Sequence, residues 1–459
     1  MGVAPIGSDM ALDSIRESWT TRLGFVLAAV GSAVGLGNVW RFPFQVGEGG
    51  GSAFLFVYLG FVLLIGFPAM LVELSLGRRT NLSPVGALRE FGGGAWRYVG
   101  GLFVLIVFVI VSYYSVVAGW VLRYFVDSFT GAYLGRSGEH FGEIATGFDA
   151  LFFHTVFMVG VVGIVALGVR KGIEVAVKLM VPAIAVILVA LAAYGWTLNG
   201  AGAAYAYYLS PEFGTIAQNW TTILPAAAGQ AFFTLSVGMG VMVTYSSYIS
   251  EDRNLFEDAG GIVALDTFVA FTTGLVVFPI LFTVGVDPGE PGPGAIFITL
   301  AGALSEIPFG AVVGALFFGI VALAAASSAI SLLEVAVSHL IDQRGASRKR
   351  ATVVVGTAAY IAGIPVAYDT VFVDLYDILA AQILLVAGAI LLMVLVAWLH
   401  PQEAIDELEA GVGELGFLGG AWVWLVRIPV LVVLIVSLYL GVEGYVEFLR
   451  GEFADFLFG

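Results

Sequence analysis

Long apolar stretches alternate with short polar ones along this chain. Eleven of them approach or exceed the ~20 residues a helix needs to cross a bilayer core. They are read at 23–47, 52–77, 99–127, 151–169, 176–196, 219–247, 259–286, 309–340, 351–368, 375–398 and 421–446. Residues 294–307 are apolar but too short to span, which predicts a hairpin or short helix over one face. Lipid offers the backbone no hydrogen-bond partner, so helices that close their own bonds are required. The expected fold class is an all-α polytopic membrane protein of eleven transmembrane helices.

Two of these stretches are interrupted halfway. The first holds Gly31-Ser32-Ala33-Val34-Gly35-Leu36-Gly37-Asn38, and the sixth holds Thr234-Leu235-Ser236-Val237-Gly238-Met239-Gly240. Glycine in mid-helix costs roughly 1 kcal/mol relative to alanine. A break there frees amides and carbonyls that must meet something polar. Carbonyl ends suit Na⁺, and amide ends suit a carboxylate. The two runs lie five spans apart, and five is odd, so the copies enter the membrane from opposite sides. That is the pattern of a transporter made of two inverted halves around a central site. The competing account is that these glycines only let helices pack closely. The chain is accordingly divided into an N-terminal segment (1–18), a first repeat (19–200), a second repeat (201–400) and an inner loop, extra helix and tail (401–459).

Lys and Arg near the span ends set orientation. With the N-terminus cytoplasmic, the inner segments hold Arg16, Arg22, Arg78, Arg79, Arg89, Arg97, Arg170, Lys171, Arg253, Arg344, Arg348, Lys349 and Arg350. The outer ones hold chiefly Arg136 and Arg450, along with acidic residues that include Asp287 and Glu290. An odd number of spans then puts the C-terminus outside a plasma-membrane protein. Residues 1–18 contain no apolar core, so no cleaved signal peptide is expected.

Composition narrows the function. The chain is 59% hydrophobic and 12% charged, too apolar for a soluble protein of 459 residues. It has no Cys, which excludes disulfides and thiolate metal sites. His140, His154, His339 and His400 have no ligand spacing. A net charge of -15 argues against nucleic acid. No nucleophile–base constellation stands out, so an enzyme is not expected.

Three stretches carry a resemblance. Trp19-Thr-Thr-Arg-Leu-Gly through Gly31-Ser-Ala-Val-Gly-Leu-Gly-Asn-Val-Trp-Arg-Phe-Pro43 resembles the first helix of the neurotransmitter:sodium symporter family. Gly229-Gln-Ala-Phe-Phe-Thr-Leu-Ser236 resembles its sixth helix, and Ser327-Ser-Ala-Ile-Ser-Leu-Leu-Glu334 its eighth. The family's broken helices at the midplane belong to the same pattern, so the two arguments are not independent. The resemblance implies a 5+5 inverted repeat plus one extra helix, and import of an amino acid by alternating access with two co-transported Na⁺. One sodium would be held by Ala33, Asn38, Thr234 and Asp266, and the other by Gly31, Val34, Ala324, Ser327 and Ser328. The substrate would meet Ser32, Ala33, Leu36, Gly37, Ile110, Tyr114, Phe233, Thr234, Ser236, Met239, Ser328 and Leu332. Oxygen ligands of this kind suit a hard cation. Taken alone, such serines are more often hydroxyls bonded back to their own helix than ion ligands.

The same resemblance makes Arg41 and Asp377, with Tyr114 and Phe233, an outer gate. Arg16, Trp19, Tyr248 and Asp342 would form an inner one, although each of these residues also suits an ordinary interfacial anchor. Asp266 stands where a leucine-transporting bacterial member has Asn. Its fixed negative charge would replace the chloride of animal members, so no chloride requirement is expected. Glu73 is expected to accept bonds from the broken sixth helix, and Glu334 to cap the same break or relay a proton. Gly172 and Pro182 loosen the start of the fifth span. Met239 and Leu332 form a pliable apolar wall, and Ser32 is smaller than the Asn of the leucine carrier, which favours a hydrophobic or aromatic L-amino acid. A sensor that binds without transport, and a proton-coupled transporter, are the alternatives. Oligomeric state is left open.

Overall fold

The computed structural model describes residues 18–250, 252–286, 288 and 295–458. The N-terminal segment, and with it Arg16, lies outside the described residues, as do Asp287 and Glu290. Nine continuous helices among the described residues are long and apolar enough to cross a bilayer. They are Ser52–Thr80, Gly94–Ser128, Gly147–Ala166, Val169–Gly195, Leu255–Val284, Gly310–Arg344, Arg348–Tyr368, Val371–Leu399 and Phe417–Phe458. Arg22–Ala33 and Gly37–Glu48 form a further span, bent by 51° where the first glycine run was read as a break.

The sixth stretch is also interrupted. Phe213–Thr234 is helical, with a kink at Asn219, and the helix resumes only at Val241–Ser246. Its polar residues, among them Gln218, Asn219, Thr221, Thr222 and Gln230, keep it from reading as an ordinary apolar span. The segment near 294–307 is a short apolar helix, Ile296–Glu306, in line with expectation.

Both faces of many helices are apolar, but for different reasons. In Val169–Gly195, the residues Val177, Val181, Ile184, Leu188 and Leu191 recur every three or four positions and are buried. Val175, Leu179, Val186 and Val189 of the same helix are exposed. An apolar outer face of this kind is stable only where the surroundings are lipid. The first turn of this helix, Val169–Ile173, is a wide π-type turn that includes Gly172, and Pro182 lies within the helix.

Packing places the first broken helix at the centre. Arg22–Ala33 contacts Val169–Gly195, Leu255–Val284 and Gly310–Arg344. The long Gly94–Ser128 helix packs along Gly310–Arg344, and Val241–Ser246 lies against Ser52–Thr80. Both breaks are therefore enclosed by other helices, where unwound backbone is tolerated.

Candidate functional site

Arg22–Ala33 stops because the amides that would extend it are taken elsewhere. In an unbroken helix the Gly35 amide would reach the Gly31 carbonyl, and the Leu36 amide the Ser32 carbonyl. Instead Gly35 donates to Asn38 Oδ1 at 3.1 Å and Leu36 to the Tyr114 hydroxyl at 3.3 Å. The Gly31 carbonyl thereby loses its helical partner. The Ser32 carbonyl accepts from the hydroxyls of Ser236 and Ser328, each at 3.0 Å. Gly35 is also demanded by space, since a Cβ there would lie 2.5 Å from Ser328 Oγ. Where the helix resumes, the Gly37 carbonyl accepts from Gln230 Nε2 at 3.0 Å.

The second break is made by backbone handedness. Ser236, Gly238 and Gly240 have φ of 52°, 92° and 73°. For serine that conformation costs on the order of 1 kcal/mol, and the Ser236 hydroxyl bond to Ser32 helps to hold it. Glu73, fully buried, accepts from the Gly238 amide at 2.6 Å and the Val243 amide at 3.4 Å. A carboxylate thus meets the positive end of Val241–Ser246. Glu334 does not cap this break. It accepts from the Tyr248 hydroxyl at 2.9 Å and from Arg348 at 2.7 and 3.0 Å.

Between the breaks sits a buried polar cluster. Asn38 Nδ2 lies 2.8 Å from both Thr234 Oγ1 and Asp266 Oδ1, and the Thr234 hydroxyl donates to Asp266 at 3.0 Å. All three residues are fully buried. Asp266 therefore sits at the centre of the protein with neutral partners, among the described residues. A charge in that position is costly unless another charge compensates it. A small cation held by its carboxylate, by Thr234 and by the amide oxygen of Asn38 would do so. Ala33, the last residue of the first half-helix, is buried beside the break.

The other expected ion ligands meet where the first break faces Gly310–Arg344. Ser328 Oγ lies 3.5 Å from the Val34 carbonyl, and a Cβ on Gly31 would lie 3.3 Å from Ser327 Cβ. Ser327 donates to the Ala324 carbonyl at 3.0 Å, a bond along its own helix. Hydroxyls and carbonyls gather here without a charged group from this set.

A cavity of about 240 Å³ is lined by Leu36, Gly37, Tyr114 and Phe233 together with Arg41 and Asp377. The two expected gate residues are not paired with each other. Arg41 lies over the Phe233 ring at 4.9 Å, and Asp377 accepts from the Tyr113 hydroxyl at 2.6 Å. Ser32, Ile110, Ser236, Met239, Ser328 and Leu332 keep 3–7% exposure within a core where most residues have almost none.

The opposite end is tightly tied. Trp19 Nε1 donates to the Tyr245 carbonyl at 2.9 Å, and its ring lies edge-on to Tyr248 at 6.2 Å. Tyr248 in turn holds Glu334, which Arg348 holds from the other side. Asp342 accepts from the Ser83 amide at 2.9 Å. Glu174 accepts from the Thr20 amide at 2.8 Å and from Lys178 at 2.6 Å, fastening the chain before the first helix.

The family model described as the sodium:neurotransmitter symporter family matches residues 16–140 and 139–448. The chain belongs to that family. It is 32% identical to the sodium-dependent transporter YhdH of Bacillus subtilis, over 94% of this chain and 98% of that one. It is 33% identical to the sodium-dependent transporter MJ1319 of Methanocaldococcus jannaschii, over 92% of this chain and 90% of that one. The crystal structure of MhsT in complex with L-phenylalanine superposes with a TM-score of 0.84 at 37% identity, covering 93% of this chain and all of that one. This symporter is therefore a sodium-coupled membrane transporter and not an enzyme.

Several residues that tie these elements together escaped the sequence reading. Gln230 bridges the two broken helices, yet it lies within a motif already quoted. Ser331 donates to Ser32 Oγ at 2.7 Å. Its signal was a third serine one turn after Ser328, hence on the same helix face. Glu174 and Lys178 carried the four-residue spacing of a helical ion pair. Arg348 was counted only as an inner positive charge.

Proposed function

We propose that this transporter carries a hydrophobic or aromatic L-amino acid with two Na⁺, without chloride, by alternating access. The observation that carries the reading is Asp266, a buried carboxylate with neutral partners at the junction of both helix breaks. The first Na⁺ would join Ala33, Asn38, Thr234 and Asp266. The second would take the Gly31, Val34 and Ala324 carbonyls with Ser327 and Ser328. The fixed charge of Asp266 makes a separate anion unnecessary in electrostatic terms. The substrate carboxylate would meet the amides of Leu36 and Gly37 and the Tyr114 hydroxyl. Ile110, Met239 and Leu332 would wall its side chain, under Phe233. The bound L-phenylalanine named for MhsT supports an aromatic or hydrophobic substrate here.

The open cavity beside Arg41 and the tied Trp19 end support an outward-facing state, with the N-terminus cytoplasmic. Moving two charges through about 100 mV releases roughly 4.6 kcal/mol. That sustains about a thousandfold accumulation at 1.4 kcal/mol per decade. A buried carboxylate without a basic partner is also what a proton site requires, so proton coupling is the second reading.

Proteoliposome uptake of labelled amino acids separates these readings. Uptake should follow an imposed Na⁺ gradient, persist when gluconate replaces chloride, and vanish in Asp266→Ala. Uptake driven by a pH gradient without Na⁺ would replace this reading with the second. A need for chloride would remove the role given to Asp266.

A further inference from the structure

The outer end of the span Val371–Leu399 is built in two pieces, and the last span of the chain touches both. It begins as an ordinary helix, Val371–Asp377, and then widens into a π-type stretch over Ile378–Leu384. Wide turns of this kind break the regular ladder and mark places where a helix bends. Residues three and four apart share a helix face, and Val373, Asp374 and Asp377 line the cavity beside Arg41. Behind the wide stretch runs Phe417–Phe458. A Cβ on Gly441 would lie 2.7 Å from the Gln382 carbonyl oxygen, so the backbone of the last span rests on the wide stretch itself. After Gly451 a short helix, Glu452–Phe458, packs on Val371–Asp377. Its Phe453 and Phe456 meet Phe372 edge-on at 6.4 and 5.5 Å, and Phe453 also stacks at a tilt on Phe448 at 6.0 Å.

In this arrangement Asp377 faces Tyr113 while Arg41 lies on Phe233. Phe372, Phe453 and Phe456 are not among the cavity's lining residues, so they have no direct hold on a ligand there. Phe456 keeps 39% exposure, which makes the ring contact a rim contact and not part of the core. We infer that these three rings are a clasp that holds the outer gate open. For Asp377 to reach Arg41, Val371–Asp377 swings toward the cavity about the wide stretch, and Phe372 parts from the two rings behind it. Phe372, Phe453 and Phe456 are therefore positioning residues that act through Asp377. This inference rests on the proposed alternating access, with Arg41 and Asp377 as the outer gate.

The test is Na⁺-dependent equilibrium binding to the full-length protein carrying Phe453→Ala and Phe456→Ala together. The probe is whichever of the twenty common amino acids binds the wild type most tightly, with labelled L-phenylalanine tried first. A ligand whose binding ends in gate closure is held more tightly when closure is easier. Loss of the clasp should therefore tighten binding, by about three- to tenfold for two ring contacts. Phe372→Leu removes the same contacts from the other side and should tighten binding too, which decides the matter should the double variant fold poorly. With Asp377→Asn added, the clasp substitutions should change affinity less than twofold. A merely structural role predicts weaker binding. Unchanged or weaker binding without the clasp overturns the inference, as does tightening that survives Asp377→Asn. Failure of all twenty amino acids to bind the wild type with Na⁺ would instead overturn the proposed function, and this inference with it.

Discussion

The two ends of the site are built from the same kinds of residue but bound in opposite ways. At the Arg41 end, the guanidinium rests on the Phe233 ring and Asp377 turns to Tyr113, with a cavity between them. At the Trp19 end, rings, hydroxyls and an ion pair lock into one another. Glu334 there is fully buried, and the Arg348 side chain opposite it is 15% exposed. A charge pair removed from water is expensive to break once formed, whereas an exposed pair is worth only ~0–1 kcal/mol. The asymmetry gives the transporter one end that yields to small forces and one that opens only when something compensates for it.

Glu334→Gln should break that asymmetry most strongly. The variant keeps an acceptor for Tyr248 but takes the charge away from opposite Arg348. With roughly 3 kcal/mol lost from the closed arrangement, opening of this end should become about a hundredfold more frequent. The absence of native cysteine gives a clean reporter. Maleimide labelling of Ser246→Cys, a buried position at this end, should accelerate accordingly in the double variant. Labelling unchanged within twofold would show that the ion pair does not hold the end shut.

Trp19→Phe is a milder version of the same experiment. The ring against Tyr248 is largely kept, while the indole N–H bond to the Tyr245 carbonyl is lost. A single such bond is worth about 1 kcal/mol, so labelling of the same cysteine should rise about fivefold. An effect as large as that of Glu334→Gln would mean that the aromatic contacts, rather than the charges, carry the closure.

Much of this contrast was legible before any coordinates. The spans announced themselves by length, and the breaks by glycine runs in matching positions. The Asn38, Thr234 and Asp266 set came from the family resemblance. What stayed hidden were partnerships across helices. Nothing in the spacing of Glu334 and Arg348 says that they meet, because Arg348 follows Glu334 by 14 positions across a helix end and a loop. Glu334 was therefore expected to cap the second break or relay a proton, whereas the break is capped by Glu73, which was expected there too. The present partners of Arg41 and Asp377 depend on which conformation the protein occupies, and a sequence encodes all of its conformations at once.

The smallest expected effect lies at the open end. Arg41→Lys keeps the positive charge but gives up the flat guanidinium that spreads over Phe233. A cation–π contact at a partly exposed site is worth about 0.5–1 kcal/mol, and lysine retains part of it. Release of a bound amino acid should quicken by only about two- to threefold, measured by chase of labelled substrate from detergent-solubilised protein. Cysteine labelling at position 246 should not change, because no bond at the Trp19 end among the described residues involves Arg41. If labelling there did rise, the ends would be coupled through the broken first helix, which carries Arg41 in one half and begins three residues after Trp19 in the other. The loose end would then be part of the lock on the tight one, and the two halves of that helix would move as a single lever despite the 51° bend between them.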